Sequence, residues 1–446
     1  MADVVVDIVG AGLAGCECAC QLADRGVAVR LHEMRPATMT PAHRTGGFAE
    51  LVCSNSLKTT RPDSAAGLLK EELRRLGSVL LTCAEEAAIP AGGALAVDRE
   101  RFSAAVGGRI AERPLIEVVR GEVREIPERP CVIAAGPLCS PALAAEVQRL
   151  VGEPALSFFD AAAPIVDAST IDRSIVFEQS RYDRDGSGDY LNAPFTREEY
   201  DAFIEALVGA KRAVLRDFDR RELFQACQPA EEVARTGHDA IRYGAMKPVG
   251  LVDPRTGRRP WAAVQLRAEN AERTAYNLVG FQTNLTFGEQ ERVFRMIPGL
   301  GEAEFFRYGV MHRNTFVNSP RVLDATFAVP GSGVRLAGQI TGTEGYTEAI
   351  ASGLLAALNT YAELRGAPPV SLPATGALGS LAAWATDPAT VDYQPRHVNF
   401  GLVPPLEDGV RRSKRDRYAA YARRALADLD AYLAARPDLE IAQVVR

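Results

Sequence analysis

Val4-Val5-Val6-Asp7-Ile8-Val9-Gly10-Ala11-Gly12-Leu13-Ala14-Gly15 is the stretch that decides how the rest of the chain is read. Its first half is almost entirely β-branched, which suits a strand buried on both faces of a parallel sheet. Its second half is a Gly-x-Gly-x-x-Gly turn. The residues from Leu13 to about Asp24 have the composition of a helix, ended by Gly26 as a natural C′ residue. Val27 to His32 then reads as a second strand, closed by the acidic Glu33. A glycine triplet alone is weak evidence; set between a strand and a helix, with an acid at the end of the next strand, it is the fingerprint of a dinucleotide-binding βαβ unit. In such a unit Gly10 permits the tight turn and Gly12 admits a pyrophosphate to the N–H groups of the helix start, with Ala11, Leu13 and Ala14 completing the turn. Gly15 lets helix and sheet approach, and Glu33 accepts hydrogen bonds from the adenosine ribose.

Working outward, Ile116 to Ile126 and Cys131 to Ala135, the latter closing on Gly136, read as later strands of the same sheet. From about Phe158 to Ile297 the texture changes. Short alternating runs (Ser174 to Phe177, Ala262 to Leu266, Tyr276 to Gly280) are broken by turns such as Asp253-Pro254-Arg255-Thr256-Gly257, the pattern of an inserted mixed unit with an antiparallel sheet. Val334 to Ala337 is again a buried strand. It runs into Gly338-Gln339-Ile340-Thr341-Gly342-Thr343-Glu344-Gly345-Tyr346 and a small-residue helix from about Thr347 to Leu364. Gly366 to Pro373 reads as a linker into a helical tail. The expected fold is therefore α/β: a doubly wound, Rossmann-like FAD-binding domain of the glutathione-reductase type (1–157 and 298–446), with an α+β substrate domain inserted at 158–297.

FAD is expected rather than NAD because the strand, GQITGTEGY and helix segment resembles the late flavin-contacting part of two-part flavoprotein folds. Gly338, Gln339, Gly345 and Tyr346 would lie where the helix N-terminus stabilises negative charge on the reduced ring. Gln339 stands where many flavoproteins carry an acid. No second strand, glycine turn and helix unit exists, so a nicotinamide donor would dock transiently.

With 446 residues and 47% hydrophobic residues, two or three domains are expected. No apolar run reaches eighteen residues and no secretion signal is seen, which points to a cytoplasmic protein with no membrane association. A net charge of −6 argues against a uniformly basic nucleic-acid-coating surface, though not against local patches. Such patches exist: Lys211, Arg212, Arg216, Arg220 and Arg221; Arg255, Arg258 and Arg259; and Arg411, Arg412, Lys414, Arg415 and Arg417. Taken alone each reads as a solvated helix or turn face.

No two of the eight cysteines have C-x-x-C spacing, so free thiols and no metal are expected. Cys16, Cys18 and Cys20 read as small buried residues of one helix. Cys227, just before Pro229, Glu231 and Glu232, precedes a predicted helix start, whose dipole favours thiolate. Cys53 sits in the polar loop Glu50-Leu51-Val52-Cys53-Ser54-Asn55-Ser56-Leu57. From the residues alone, a buried structural thiol is the plainer reading of both.

Beyond GAGLAG, several long strings carry a family resemblance: Met34 to Pro36 with Met39 to His43, Phe48 to Leu57, Pro90 to Glu100, Met246 to Gly257, Arg307 to Thr315 and Asn399 to Pro405, with LVGFQT and MIPGL between them. Together they resemble, essentially end to end, the folate- and FAD-dependent tRNA (uracil-5-)-methyltransferase family, TrmFO. The resemblance implies methylation of C5 of the T-loop uridine at position 54 of tRNA, with 5,10-methylenetetrahydrofolate as carbon donor and NADH or NADPH reducing the FAD. By motif, Cys227 would add to C6 of the uracil, and Cys53 would act near the flavin. His312 would contact the folate pterin, or be an ordinary core histidine. The basic clusters, with Lys58 and Arg61, become candidates for tRNA phosphate contacts. The T-arm of tRNA is the implied partner, with no obligate protein partner. Two enzymatic alternatives are the same chemistry on a 23S ribosomal RNA uridine, and wobble-uridine modification of the MnmG type, whose long helical C-terminal extension this sequence is expected to lack. A third alternative is a tRNA-binding flavoprotein with an inert flavin and merely structural cysteines.

Overall fold

The structure is a computed structural model that describes residues 4–128, 130–181, 188–213, 228–407 and 410–440, with only the backbone of residues 158 and 312. Its central sheet has six strands in the order Ala328–Val329, Val334–Leu336, Cys131–Ile133, Val5–Val9, Ala28–Glu33 and Ile116–Arg120. All neighbours pair in parallel except the terminal 328–329 and 334–336 hairpin. The opening strand, β1 (Val5–Val9), is central, and Val6 and Ile8 are fully buried. A strand covered on both faces has no use for alternation, hence four β-branched apolar residues interrupted only by Asp7, whose carboxylate is engaged by His32 Nε2 at 2.7 Å. The helix after it, α1 (Leu13–Ala23), is buried along its whole length, and β2 (Ala28–Glu33) follows Gly26 at φ +78°.

Against α1 packs the 346–364 helix, and small residues set how closely. A Cβ on Gly353 would stand 2.1 Å from the Ala14 carbonyl oxygen, and one on Gly15 would stand 1.8 Å from that of Gly10. The two segments singled out at opposite ends of the sequence are thus locked side by side. The buried Cys16, Cys18 and Cys20 are small core residues of α1, and burial pushes all three thiols up. Among the described residues no group of side chains could hold a metal, and no helix is long and apolar enough to cross a membrane.

A second six-stranded sheet is antiparallel, in the order Phe177–Glu178, Tyr190–Phe195, Ala262–Ala268, Ala275–Leu278, Ile165–Asp167 and Phe305–Arg307. Its core is a separate apolar cluster that includes Phe195, Phe203, Phe281 and Phe294. A two-stranded ribbon, Leu156–Ala161 against Met311–Phe316, stands where the chain passes between the two sheets.

Several expected strands differ in detail. The 116–126 segment ends as a strand at Arg120, because Gly121 turns the backbone to φ +149° and its N–H bonds the Glu33 carbonyl. Of 174–177 only Phe177 is in a strand, since Ser174 is drawn into a turn by Asp172. The 190–195 strand was not anticipated, because Pro194 reads as a strand breaker. It is tolerated there because the neighbouring 177–178 strand pairs only with Leu191 and Asn192, leaving that side open at Pro194.

Candidate cofactor cavity

A single cavity of about 340 Å³ runs from the glycine turn after β1 to the start of the 346–364 helix, a volume in the ordinary range for small-molecule sites. At one end Gly10 adopts φ +106°, where a side chain would strike the Ala134 carbonyl at 2.6 Å. Gly12 is the N-cap of α1 and brings no side-chain cap, and a Cβ built on it meets nothing within 4 Å. The first N–H groups of α1 therefore face open space, the arrangement that receives a phosphate.

Glu33 closes this end, 5% exposed. Its carboxylate accepts the Ala11 N–H at 3.2 Å and three bonds from Arg35: the backbone N–H and Nε at 2.9 Å and Nη2 at 3.0 Å. Burial works to raise its pKa, but the bonds and charge of Arg35 outweigh burial and hold the carboxyl below its usual range. Sequence reasoning assigned Glu33 and missed Arg35, which only the fold turns back onto it.

At the other end lies Cys53, on a loop gripped from several directions. The Cys53 and Ser54 amides donate to the Tyr346 hydroxyl at 2.8 and 3.2 Å. Arg99 donates to the carbonyls of Leu51 and Cys53 while paired with Glu269, and Arg307 donates to that of Val52 at 2.7 Å. Arg267 reaches Asn55 Oδ1 at 2.7 Å and Ser54 Oγ at 2.9 Å. Two of these arginines, Arg267 and Arg307, come from the second sheet, so that unit helps fix the thiol's position. Burial, then Cys53, keep the Tyr346 phenol protonated by pushing its pKa up.

Around this end Lys58 pairs with Glu348 at 3.1 Å, and Glu344 takes a hydrogen bond from Gln339 Nε2. Among the described residues, two buried polar atoms on the wall have no partner: Glu344 Oε2 and Asn314 Oδ1. Both residues belong to strings singled out in the sequence, yet neither was named as functional.

Of the sequence-derived candidates, Gly10, Ala11, Gly12, Leu13, Ala14, Glu33, Cys53, Gly338, Gln339, Gly345 and Tyr346 all line this one cavity. Gly15 is not on its wall and serves packing. His312 lies opposite Asp160 in the ribbon, and its side chain is outside what is described. Cys227 is outside the described residues; Pro229, two positions on, is the N-cap of the Ala230–Arg235 helix. Among the basic clusters, Arg212 pairs with Glu232, Arg255 with Asp253, and Arg61, outside the clusters, with Asp63. Arg216, Arg220 and Arg221 also lie outside the described residues.

Comparison with known proteins is unambiguous about descent. The chain is 53% identical to methylenetetrahydrofolate--tRNA-(uracil-5-)-methyltransferase TrmFO of Heliobacterium modesticaldum, over 97% of this chain and 98% of that one. It is 54% identical to the TrmFO of Symbiobacterium thermophilum, over 97% and 98%. The chain belongs to the TrmFO family. Residues 4–368 also match the model of the wider glucose inhibited division protein A family. Among solved structures, Aquifex aeolicus GidA aligns with a TM-score of 0.67 at 17% identity, covering 96% of this chain and 73% of that one. That likeness shows a shared doubly wound α/β fold with an inserted antiparallel unit. TrmFO sequences and the GidA fold thus meet in one chain.

Proposed function

We propose that this TrmFO-family chain is a FAD-dependent methyltransferase acting on C5 of the T-loop uridine at position 54 of tRNA, with 5,10-methylenetetrahydrofolate as carbon donor and NADH or NADPH as reductant. The observation that carries the reading is the single cavity uniting the Gly10–Gly12 turn, Glu33, Cys53 and the Gly338–Tyr346 segment. The cavity fits FAD on its own terms: an uncapped helix start with open space at Gly12 for a pyrophosphate, and unpartnered polar atoms at the far end for a polar ring. When bound, FAD supplies the two-electron chemistry that reduces the one-carbon unit.

The chain's own residues then have distinct tasks. The first amides of α1 hold the pyrophosphate, and Glu33, already engaged by Arg35, shares its oxygens with a ribose. The arginine grip and Tyr346 hold the Cys53 sulfur at the ring end. C5 of uracil is a poor nucleophile until a thiolate adds at C6, and Cys227, by motif, is that thiolate. His312 is assigned to the folate pterin, and the basic clusters to tRNA phosphates. The division into 1–157 and 298–446 around an inserted 158–297 unit, whose antiparallel sheet also takes in the Phe305–Arg307 strand, a cytoplasmic location and the lack of an obligate protein partner belong to the same reading.

Incubating the pure protein with unmodified tRNA, methylenetetrahydrofolate and NADH or NADPH, then mapping 5-methyluridine by mass spectrometry, tests it. Methylation at position 54 that disappears in Cys227→Ala is expected. Product confined to ribosomal RNA, or formed at wild-type rate by Cys227→Ala, would overturn the target or the nucleophile respectively.

A further inference from the structure

Glu344 enters the reading above only as a polar atom at the ring end, yet its setting is unusual. It is 6% exposed, on the cavity wall, with Oε1 bound by Gln339 and Oε2 facing no partner among the described residues. Its charged neighbours come from four elements. Asp160 lies on the 156–161 strand, Lys58 on the 56–59 strand, and Glu348 on the helix that Glu344 precedes, at whose start the neutral Tyr346 phenol stands. Arg396 and His397 come from the 391–398 segment, where the Arg396 carbonyl accepts the Glu344 N–H at 3.0 Å.

What could neutralise a Glu344 carboxylate is already committed elsewhere. Glu348 is the third residue of the 346–364 helix and curls back over its N-cap, so that a Cβ on Gly345 would stand 2.3 Å from Glu348 Oε2. There it meets the positive end of the helix dipole and holds the Lys58 ammonium at 3.1 Å. Arg396 lies over the Trp384 ring, and His397 is pushed toward neutrality by burial and by Lys58. Glu344 is left beside Asp160 and Glu348, and burial, then Asp160, push its carboxyl up to about 8.

Asn314 supplies an independent sign of a ligand. It is 1% exposed on the same cavity wall, with Oδ1 lacking a partner among the described residues. The ribbon register sets it on the same face as Asp160, since Asn314 opposes residue 158 and Asp160 opposes residue 312. A buried amide and a buried acid, each with a free polar atom, match the alternating carbonyl and N–H edge of an imide.

We propose that Glu344 is the proton-holding residue of this cavity: as a neutral acid its Oε2–H donates to a carbonyl of the isoalloxazine imide edge, and, where it has ionised, it regains a proton when the ring is reduced. The inference rests on the FAD reading. Two electrons arrive from an external hydride donor, or dithionite in the test. One proton goes to the ring and, above the acid's titration point, a second goes from solvent to the Glu344 carboxylate, because new negative charge on the ring raises its proton affinity.

The test is a redox titration of FAD-loaded wild type and Glu344→Gln from about pH 6 to about pH 10. Each proton taken up per two electrons adds about 30 mV per pH unit to the slope of the midpoint potential. The wild-type slope is expected to steepen by one proton above about pH 8, and that of Glu344→Gln to stay unchanged across the range. Asp160→Asn should move the break to lower pH and Lys58→Met to higher pH, and these two carry the test if Glu344→Gln does not retain FAD. Identical profiles in wild type and Glu344→Gln, or a break that neither neighbour moves, would overturn the proposal. A wild type that binds no FAD would instead overturn the reading beneath it.

Discussion

Replacing Tyr346 by Phe removes one oxygen and leaves the ring that fills the helix start. That oxygen accepts two backbone amides, those of Cys53 at 2.8 Å and Ser54 at 3.2 Å. A buried amide left without a partner costs about 1–3 kcal/mol, so two would cost about 2–6. The lower end applies, because Cys53 and Ser54 are only half-buried and water entering the cavity can take over part of the bonding. The loop does not dissolve, since Arg99, Arg267 and Arg307 still hold its carbonyls and side chains. A loss of about 2 kcal/mol in local anchoring corresponds to roughly thirty-fold more frequent opening. Hydrogen exchange at amides 53 and 54, and alkylation of Cys53 followed by peptide mass spectrometry, should both accelerate by about that factor. Exchange within the Phe203 and Phe281 core should be unchanged. Wild-type rates at both amides and at the thiol would refute the idea that Tyr346 positions this loop.

Gly12→Val places its side chain in open space, so stability measured by denaturant should change by less than about 1 kcal/mol while FAD affinity falls at least about ten-fold. Phe281→Ala empties the centre of the second core, where Phe203 and Phe294 pack on it, and should cost about 3–5 kcal/mol in urea melts. Glu72 caps the 377–386 helix, and burial pushes its carboxyl up to about 7. Its folded pKa exceeds its unfolded one, so its contribution is fully present below about pH 4.5 and is lost as pH rises to about 7. Glu72→Gln should therefore show a smaller decline in stability between these pH values than wild type, with equal declines counting against the assignment.

How much of this was legible before any coordinates differs from residue to residue. The β1, glycine turn, α1 and β2 unit reads directly, because a strand buried on both faces is apolar on both, with Asp7 its one exception, and a turn at φ +106° favours glycine. The GQITGTEGY segment reads for similar reasons, and its placement beside α1 explains the small residues of the helix after it. What was not legible is contact between distant residues. Arg307 lies 255 residues from the carbonyl it binds, and Arg267 lies 212 from Asn55, so no local pattern could assign either to the Cys53 loop. Glu344 was hidden for a different reason. A glutamate in a glycine-rich turn looks solvated until the fold buries it and commits the Lys58 ammonium to Glu348.

The most direct measurement is the structure of the FAD-loaded protein. Expected are a pyrophosphate on the first amides of α1 and a ring edge touching Cys53, Asn314 and Glu344. A flavin bound elsewhere, or one lying in this cavity with its ring at the Glu33 end, would contradict it.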